Sequence, residues 1–329
     1  MRSERGATLI VVSLVLTAVL GVASLSIDGG RMFAARRQTQ NAADSAAMAG
    51  AEALFAYQYA AATGVTRDPT AVAQAVSDKL LQNGATTQTC TLVDPLGNAL
   101  QSCSQANDAQ LVAASGVKAN GTVSRATALA GVIGINRFNA AASATAEVQP
   151  IVGITSPFIL CGAAHTGWNI LDNGNQINVP AAQQLINIPL QSDQVPTCGA
   201  RSNDFKGKAA PNTGIINADT WVGITPGNGY NATTANSVST LALCPPDIST
   251  LTGSCTMIIP VASSAQGTGV NTQLQIATFA AFTVTPSTNG GTKYTGTFVA
   301  PQYLAGEGQG AYGVRCNAGN ELCLAKLVG

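Results

Sequence analysis

One uninterrupted apolar run near the N terminus constrains this chain more than any other feature. Residues 7–27 contain no charged side chain, and 12 of these 21 residues are Leu, Ile or Val. Because an α-helix rises about 1.5 Å per residue, a helix of this length spans about 30 Å, the thickness of a bilayer's hydrocarbon core. The run predicts a single transmembrane helix over residues 7–27, preceded by a short tail, residues 1–6.

A cleaved secretory signal is the alternative interpretation of the same run. Arg2 and Arg5 suit the basic start of such a signal, and the small residues around Gly21 and Ala23 suit a cleavage site. The apolar run nevertheless continues to Ile27, which makes it longer than the apolar part of an ordinary signal peptide. We therefore favour a permanent anchor.

Eight cysteines indicate the compartment. All of them lie beyond residue 89, no two have the C-x-x-C spacing, and the chain has a single histidine, His165. This pattern favours disulfides over a zinc site, with reduced thiols in a cytosolic protein as the alternative. The disulfide candidates are Cys90, Cys103, Cys161, Cys198, Cys244, Cys255, Cys316 and Cys323.

The gaps between cysteines suggest local pairs, but eight cysteines allow many pairings and the sequence selects none of them. Closing the three shortest gaps and pairing the remaining two residues by elimination gives Cys90–Cys103, Cys244–Cys255, Cys316–Cys323 and Cys161–Cys198. Arginines flank the apolar run on both sides, so positive charge does not orient it. Since disulfides need an oxidising compartment, we expect a cytoplasmic N terminus and an extracytoplasmic C-terminal region in the cell membrane.

Residues 28–84 are predicted to form a helical segment. Residues 31–62 contain no proline and many helix formers, which predicts one long helix continuing from the span. A narrow stripe on this helix suits either a partner helix or packing on its own domain, and both alternatives stay open. The stripe consists of Met32, Ala35, Ala42, Ala46, Ala49, Ala53 and Ala56.

A second helix is predicted between residues 68 and 84. Asp68 suits the N-cap, Pro69 suits the first helical position, and Gly84 suits the stop. Apolar residues repeat every four positions between them, which predicts a buried face. These residues are Val72, Val76 and Leu80.

Beyond residue 85 the apolar runs become short and are separated by Gly, Pro, Asn and Thr, which is typical of strands. The prediction is an α+β protein with a first β-rich segment, residues 85–150, and a second, disulfide-containing β-rich region, residues 151–329. Residues 191–240 suggest a loop-rich insertion or a surface module. The predicted strands are residues 110–114, 122–128, 139–148, 157–161, 176–179, 185–189, 256–261, 273–285 and 293–299.

Three stretches resemble the TadE/TadG-like proteins of the Flp (tight-adherence) pilus-assembly system. The first joins the apolar run to the exit Asp28-Gly29-Gly30-Arg31, to Arg36 and Arg37, and to the sequence QNAADSAAMAGA. The others are FNAAASATAEV at residues 138–148 and a C-terminal block at residues 258–301. The resemblance implies a membrane-anchored protein of pilus assembly, with the lipid bilayer and other pilus-assembly proteins as its partners.

Two features of that family are missing from the sequence. Pilin-like members resemble type IV prepilins, which carry a glutamate five residues after the cleavage glycine; counted from Gly6, that position is Val11. Some members also carry a von Willebrand A domain with an Asp-x-Ser-x-Ser metal motif, which does not occur in this sequence. We therefore expect a permanent anchor without a metal site, rather than a polymerising pilin.

The composition offers little for catalysis or nucleic-acid binding. Only 10% of residues are charged, and 16 basic residues balance 16 acidic ones, so no basic surface attracts phosphates. His165 is the only imidazole and has no evident nucleophile or acidic partner. We predict no catalytic residue, no cofactor and no metal ligand.

Three functions are compatible with these features. The first is a structural accessory of pilus assembly or secretion that works by tethering and protein contacts. The second is a binding module for carbohydrate or cell-wall polymer, which would rest on the aromatic residues Trp168, Trp221, Tyr230 and Tyr303. The third is an extracytoplasmic hydrolase, which would need an acidic pair brought together by the fold.

Overall fold

The computed structural model describes most of the N-terminal half of the chain and selected segments of the rest. The described residues are 5–154, 159–162, 170–172, 175–178, 188–189, 208–209, 215–225, 253–267, 273–286, 294–299, 303–305, 309–319 and 321–328. They form a long N-terminal helix followed by β-sheet, which confirms the α+β prediction.

Helix α1 (Arg5–Thr63) is a single helix of 59 residues, about 90 Å long. It contains the predicted span and the predicted long helix, and it continues without a break through Gly29 and Gly30. Neither glycine has an atom within 4 Å of where a Cβ would lie. Close packing therefore does not explain this glycine pair.

Helix α2 (Ala71–Gln82) begins two residues later than the predicted first helical residue, Pro69. Asp68 instead closes a turn, because its carboxylate accepts hydrogen bonds from the backbone N–H and hydroxyl of Thr70. The helix ends as predicted, with Gly84 following at φ +80°. Its predicted apolar face is confirmed, since Val72, Val76 and Leu80 are all buried.

The predicted strand at residues 110–114 is wrong. These residues lie mostly in α3 (Asp108–Ala113), a short helix that begins with a capping box between Asn107 and Gln110. Each of these side chains bonds to the other's backbone N–H, which fixes the helical start. The Asn-x-x-Gln spacing indicates this helical start, but the apolar residues that follow it favoured a strand prediction.

A 3₁₀ turn (Ala130–Ile133) lies further along the chain, between β3 and β4.

The first sheet has the order β2-β1-β3-β4-β15-β13. All neighbours are antiparallel except β13 and β15, which are parallel. Short strands β8 and β14 pair with the end of β4. The strands of this sheet are β1 (Thr87–Val93), β2 (Ala99–Ser102), β3 (Gly116–Ala126), β4 (Arg137–Ile154), β8 (Ile216–Asn217), β13 (Tyr303–Ala305), β14 (Gln309–Gly310) and β15 (Cys323–Val328).

The second sheet has the order β5-β10-β11-β12-β6, with β9 on β11 and β7 on β9. Its centre is the long antiparallel pair of β10 and β11. The strands are β5 (Leu160–Cys161), β6 (Ile188–Pro189), β7 (Lys208–Ala209), β9 (Trp221–Thr225), β10 (Cys255–Gln266), β11 (Gln273–Pro286) and β12 (Tyr294–Phe298).

Most predicted strands coincide with observed ones. Residues 139–148, 256–261, 273–285 and 293–299 lie in or closely match β4, β10, β11 and β12, and residues 122–128 overlap the end of β3. Leu171 and Ile177 form an isolated bridge where residues 176–179 were predicted to be extended. The predicted strands 157–161 and 185–189 overlap β5 and β6, and their other residues lie partly outside the described ones.

Each sheet has its own core. In the first, α1 and α2 cover one face of the sheet, and Leu54, Leu80 and Val117 are fully buried between them. In the second, Ile258, Ile276 and Phe279 are prominent buried residues. This second core also contains residues from the end of β4, together with Leu322 and Leu324. Strand β15 itself pairs with β4 in the first sheet.

The predicted division of the β-rich part near residue 150 lies within β4, and it stays a prediction.

Two disulfides are described. Cys90 bonds to Cys103 between β1 and the residue that follows β2, and Cys316 bonds to Cys323 at the start of β15. Cys255 is also disulfide-bonded. The predicted partners Cys198 and Cys244 lie outside the described residues, as does the side chain of Cys161, so the other two pairs stay predictions.

Candidate membrane anchor and its junction with the folded region

The first half of α1, residues 5–27, exposes many large apolar side chains and is called the apolar or exposed half. The second half, residues 28–63, is called the packed half. Ile10, Leu14 and Val22 are 61%, 65% and 68% exposed, and the most apolar stretch of the helix is not buried within the structure. In the part of the chain that is described, α1 is the one helix long and apolar enough to cross a membrane. Exposure of this extent is unfavourable in water and favourable in lipid.

Hydroxyl groups in this half bond to the helix itself. The hydroxyls of Ser13, Thr17 and Ser26 donate to the carbonyls of Ile10, Ser13 and Val22, at 2.9, 2.8 and 3.0 Å. A hydroxyl with its own carbonyl acceptor needs no water, so these residues suit a lipid environment in spite of their polarity.

The second half of α1 buries small side chains against its own sheet. Ala35, Ala42 and Ala46 of the predicted stripe are buried, whereas Met32 and Ala56 are exposed and Ala49 and Ala53 are partly buried. The packed face follows the helical repeat more closely and includes Thr39, Ala43, Ala47, Ala51, Leu54 and Gln58. Of the two alternatives, the packing is with the chain's own domain.

At Gly50, α1 packs closely against both α2 and β3. A Cβ at this position would lie 2.6 Å from Val76 Cγ2 in α2 and 2.9 Å from Val117 Cγ1 in β3. Because contacts this short force atoms apart, only glycine lets the helix, its partner helix and the sheet meet here. The resemblance singled out this segment, and the packing gives a physical reason for its small residues.

Asp28 joins the end of the apolar half to the sheet. Its carboxylate accepts backbone hydrogen bonds from Ala128, Leu129 and Ala130 at 2.6, 3.1 and 2.7 Å. These bonds, that from Ala128 foremost, hold the pKa of Asp28 below its usual value. Three donors on one carboxylate fix the position of the β3–β4 turn relative to the helix.

Two more polar contacts follow along α1. The Gln38 side chain donates to the Asn83 carbonyl at 3.0 Å and accepts from Arg125 at 2.9 Å, which links α2 and β3 to the helix. The buried Thr39 hydroxyl lies 2.7 Å from the Ala35 carbonyl and 3.4 Å from the Ala140 carbonyl of β4. The β3–β4 hairpin therefore lies along α1, with its turn nearest the apolar half.

A cluster at the other end of α1 fixes the turn before α2. Asp108 accepts from the Tyr57 hydroxyl at 2.6 Å and forms a two-bond ion pair with Arg67 at 2.8 Å. The Arg67 guanidinium also lies 5.3 Å from the centre of the Tyr57 ring. Hydrogen bonds from Tyr57 and Arg67 lower the pKa of Asp108, and burial raises the pKa of Tyr57.

Glu147 is a buried carboxylate on the sheet face opposite α1. It is 1% exposed, one oxygen accepts from Gln149 at 2.9 Å, and the other has no protein hydrogen bond. Burial raises the pKa of Glu147, because an ionised carboxylate is poorly solvated there. Side chains alternate between the two faces of a strand, so the sequence of β4 indicates that Glu147 lies on this face. Nothing in the sequence indicates that Glu147 is buried.

The structure brings no catalytic set together among the residues it describes. No group of three His, Cys, Asp or Glu side chains is placed to hold a metal there. A shallow cleft beside α1, of about 340 Å³, is lined by Gln40, Asp44, Lys118 and Thr145, without a nucleophile and base in partnership. His165 and Trp168 lie outside the described residues.

The N-terminal half of α1 and its packed continuation correspond to a known family segment. Residues 6–53 match the family model "Putative Flp pilus-assembly TadE/G-like". This match confirms the first of the three resembling stretches and extends from the apolar run past Gly50. Neither a curated protein nor a solved structure matches the chain. The resemblances of residues 138–148 and 258–301 stay predictions.

The sequence indicates the long apolar helix but not the contacts that hold α1 against the sheet. Asp28 was recognised only as part of the exit sequence, because its partners lie 100 residues further along the chain. The Tyr57, Arg67 and Asp108 cluster was missed for the same reason. Among the aromatics of the carbohydrate hypothesis, the described side chain is that of Trp221, which is 41% exposed.

Proposed function

We propose that this chain is a membrane-anchored accessory of Flp-type pilus assembly, which holds an extracytoplasmic β-rich region beside the bilayer and acts through tethering and protein contacts. The observation that carries the proposal is α1 itself. One half exposes large apolar side chains in every direction, and the other half is packed into the first sheet. A family match over residues 6–53 covers this same junction and supplies the biological context.

The two described disulfides support an extracytoplasmic location for the sheets. Cys90–Cys103 and Cys316–Cys323 both lie on the C-terminal side of the apolar half. Such bonds persist in oxidising compartments and are uncommon in the cytosol. With one crossing, the N terminus is then cytoplasmic.

Tethering follows from the continuity of the helix. Because α1 runs unbroken from residue 5 to residue 63, the sheet cannot rotate freely about the span. The contacts of Asp28 and Gln38 add further restraint at the junction. A protein built in this way presents its sheets to partners at a fixed height above the membrane.

The test has two arms that use the full-length chain with a C-terminal affinity tag. Protease added outside intact spheroplasts is expected to digest the β-rich region, and mild-detergent purification is expected to recover other pilus-assembly components. The Leu14→Asp/Val15→Lys variant serves as the anchorless comparison, and it should lose those components. Protection of the region from protease, or recovery of no pilus-assembly protein, would refute the proposal.

A further inference from the structure

The turn between β3 and β4, residues 127–136, is here named the hairpin tip. Its central residues, 128–135, are Ala, Leu, Ala, Gly, Val, Ile, Gly and Ile, without one polar side chain. Leu129 and Ile135 are 38% and 52% exposed. A water-facing turn of this composition is unusual, because turns normally carry Asn, Asp, Ser or Gly beside polar neighbours.

Six backbone N–H groups of the ten-residue hairpin tip have acceptors within the chain. The N–H groups of Ala128, Leu129 and Ala130 donate to Asp28. Within the tip, the N–H groups of Thr127, Gly134 and Ile135 donate to the carbonyls of Asn136, Gly131 and Ala130 at 3.1 Å each. Irregular backbone tolerates an apolar environment only where its N–H and carbonyl groups already have hydrogen-bond partners. In the hairpin tip, these six N–H groups have them.

The position of the hairpin tip follows from its contacts with α1. Asp28 comes directly after the apolar run, so it lies at the bilayer surface if residues 7–27 cross the membrane. Thr39 contacts Ala140, further along the hairpin and about 16 Å further along the helix. The hairpin therefore points its tip toward the membrane, at the height of Asp28.

Charges flank the hairpin tip on the side away from the span. Arg125 precedes the tip, Arg137 follows it, and Arg31 lies one helical turn after Asp28; all three are exposed. An apolar patch bordered by arginines matches the layers of a bilayer surface, in which acyl chains lie beneath anionic phosphates.

We propose that the hairpin tip inserts into the extracytoplasmic leaflet of the same bilayer, as a second and shallow membrane contact positioned by Asp28. This inference rests on the proposed function, because it needs residues 7–27 to cross that bilayer. A helix alone fixes height but permits tilt and rotation about its own axis. A second contact beside it fixes which face of the sheets is turned toward the membrane.

The test measures depth by fluorescence in vesicles of zwitterionic phospholipid. The full-length chain, with Trp168→Phe and Trp221→Phe, receives one new tryptophan at the tip, Ile135→Trp, or at a matched site, Leu100→Trp. Leu100 is 45% exposed and lies in β2 beside the far end of β1, roughly 30 Å from the tip by strand rise. Lipids brominated near the headgroup end of the acyl chains act as quenchers.

We expect brominated lipid to reduce the emission of the Ile135→Trp protein by at least about twofold and to leave the Leu100→Trp protein unchanged. Adding Asp28→Ala should return the Ile135→Trp emission toward that of the control. The inference is refuted if brominated lipid reduces the emission of the two proteins by the same fraction. It is also refuted if the Ile135→Trp emission is blue-shifted but unquenched, which indicates contact with a protein partner or another copy instead. Quenching that survives Asp28→Ala in full refutes the positioning by Asp28.

Alkaline extraction of the same vesicles separates this inference from the proposed function. A chain that resists extraction while Ile135→Trp stays unquenched is anchored without the second contact, so only the inference fails. A chain released by alkali is not anchored, and the proposed function fails with it. Circular dichroism confirms that each variant retains its sheets before its emission is interpreted.

Discussion

The two halves of α1 use apolar residues in opposite ways. In the first half, Leu14 and Val22 are 65% and 68% exposed, whereas in the second half Ala42, Ala46 and Leu54 are fully buried. Large side chains turned outward on all sides need a surrounding apolar medium, which the structure does not itself supply. Small side chains on one face need a close neighbour, which the first sheet and α2 supply.

This difference shows that apolar composition alone does not decide where a helix lies. The first half is continuous with the second, and no proline separates them. What changes is residue size and the angular spread of the apolar surface around the helix. Asp28 lies where the exposed first half of the helix ends and the packed second half begins.

The largest expected effect is loss of the anchor when charges enter the exposed half. Leu14→Asp combined with Val15→Lys places two charges near the middle of the span, at about 3 kcal/mol each in membrane insertion. We expect the protein to leave the alkali-resistant membrane fraction. The matched control is Ala56→Lys, at an exposed position of the packed half, which should stay in that fraction. A double variant that remains fully membrane-bound would show that the exposed half is not embedded in lipid.

The next effect concerns the packed half. Gly50→Val should lower the free energy of unfolding of the first sheet by about 2–3 kcal/mol, because even its Cβ would lie 2.6 Å from Val76. Urea unfolding of the detergent-solubilised chain, followed by circular dichroism, measures the change. The variant should remain resistant to alkali, which the charged variant of the exposed half does not. Unchanged unfolding would mean that α1 does not pack on the sheet as described.

Sequence reasoning was most successful where the signal was local. The apolar helix follows from one uninterrupted run, and the buried face of α2 and the strands β4, β10, β11 and β12 follow from patterns within a few residues. The stripe on α1 was located approximately, since Ala42 and Ala46 are buried but Met32 and Ala56 are not. Its partner was undecided because a stripe of small residues records close packing and not the identity of the neighbour.

Contacts between distant parts of the chain could not be predicted from the sequence. Asp28 meets Ala128, and Gln38 meets Arg125, across 100 and 87 positions. The capping box of α3 was a local signal, but an apolar run inside it led to a strand prediction. Strands β1 and β15 were missed because their partners, β3 and β4, give them much of their stabilisation.

A smaller effect is expected at the junction between the halves. Asp28→Asn should weaken the three backbone hydrogen bonds and speed hydrogen exchange at residues 128–130, measured by mass spectrometry of peptides from the hairpin tip. Because folding lowers the pKa of Asp28, these contacts are complete above the usual aspartate value of about 4 and are lost as the pH falls through the lowered value.

The control for this junction prediction is Asp44→Asn, which alters a carboxylate that accepts from Gln40 on the same helix. It should leave exchange in the hairpin tip unchanged. If the tip of the Asp28→Asn protein exchanged as slowly as that of the wild type at neutral pH, the carboxylate would not be what attaches the tip to α1.

The smallest effect tests whether the two halves are joined rigidly. Gly30→Ala should strengthen the helix by about 0.5–1 kcal/mol, because alanine has the higher helix propensity and no atom lies within 4 Å of the new Cβ. Hydrogen exchange over residues 26–34 should slow, while urea unfolding of the sheet stays the same. If Gly30→Ala instead destabilised the helix, a neighbour outside this chain would have to contact Gly30, either lipid headgroups or a partner protein. The glycine pair would then be a contact surface between the anchor and the folded region, and not merely a weak point in the helix.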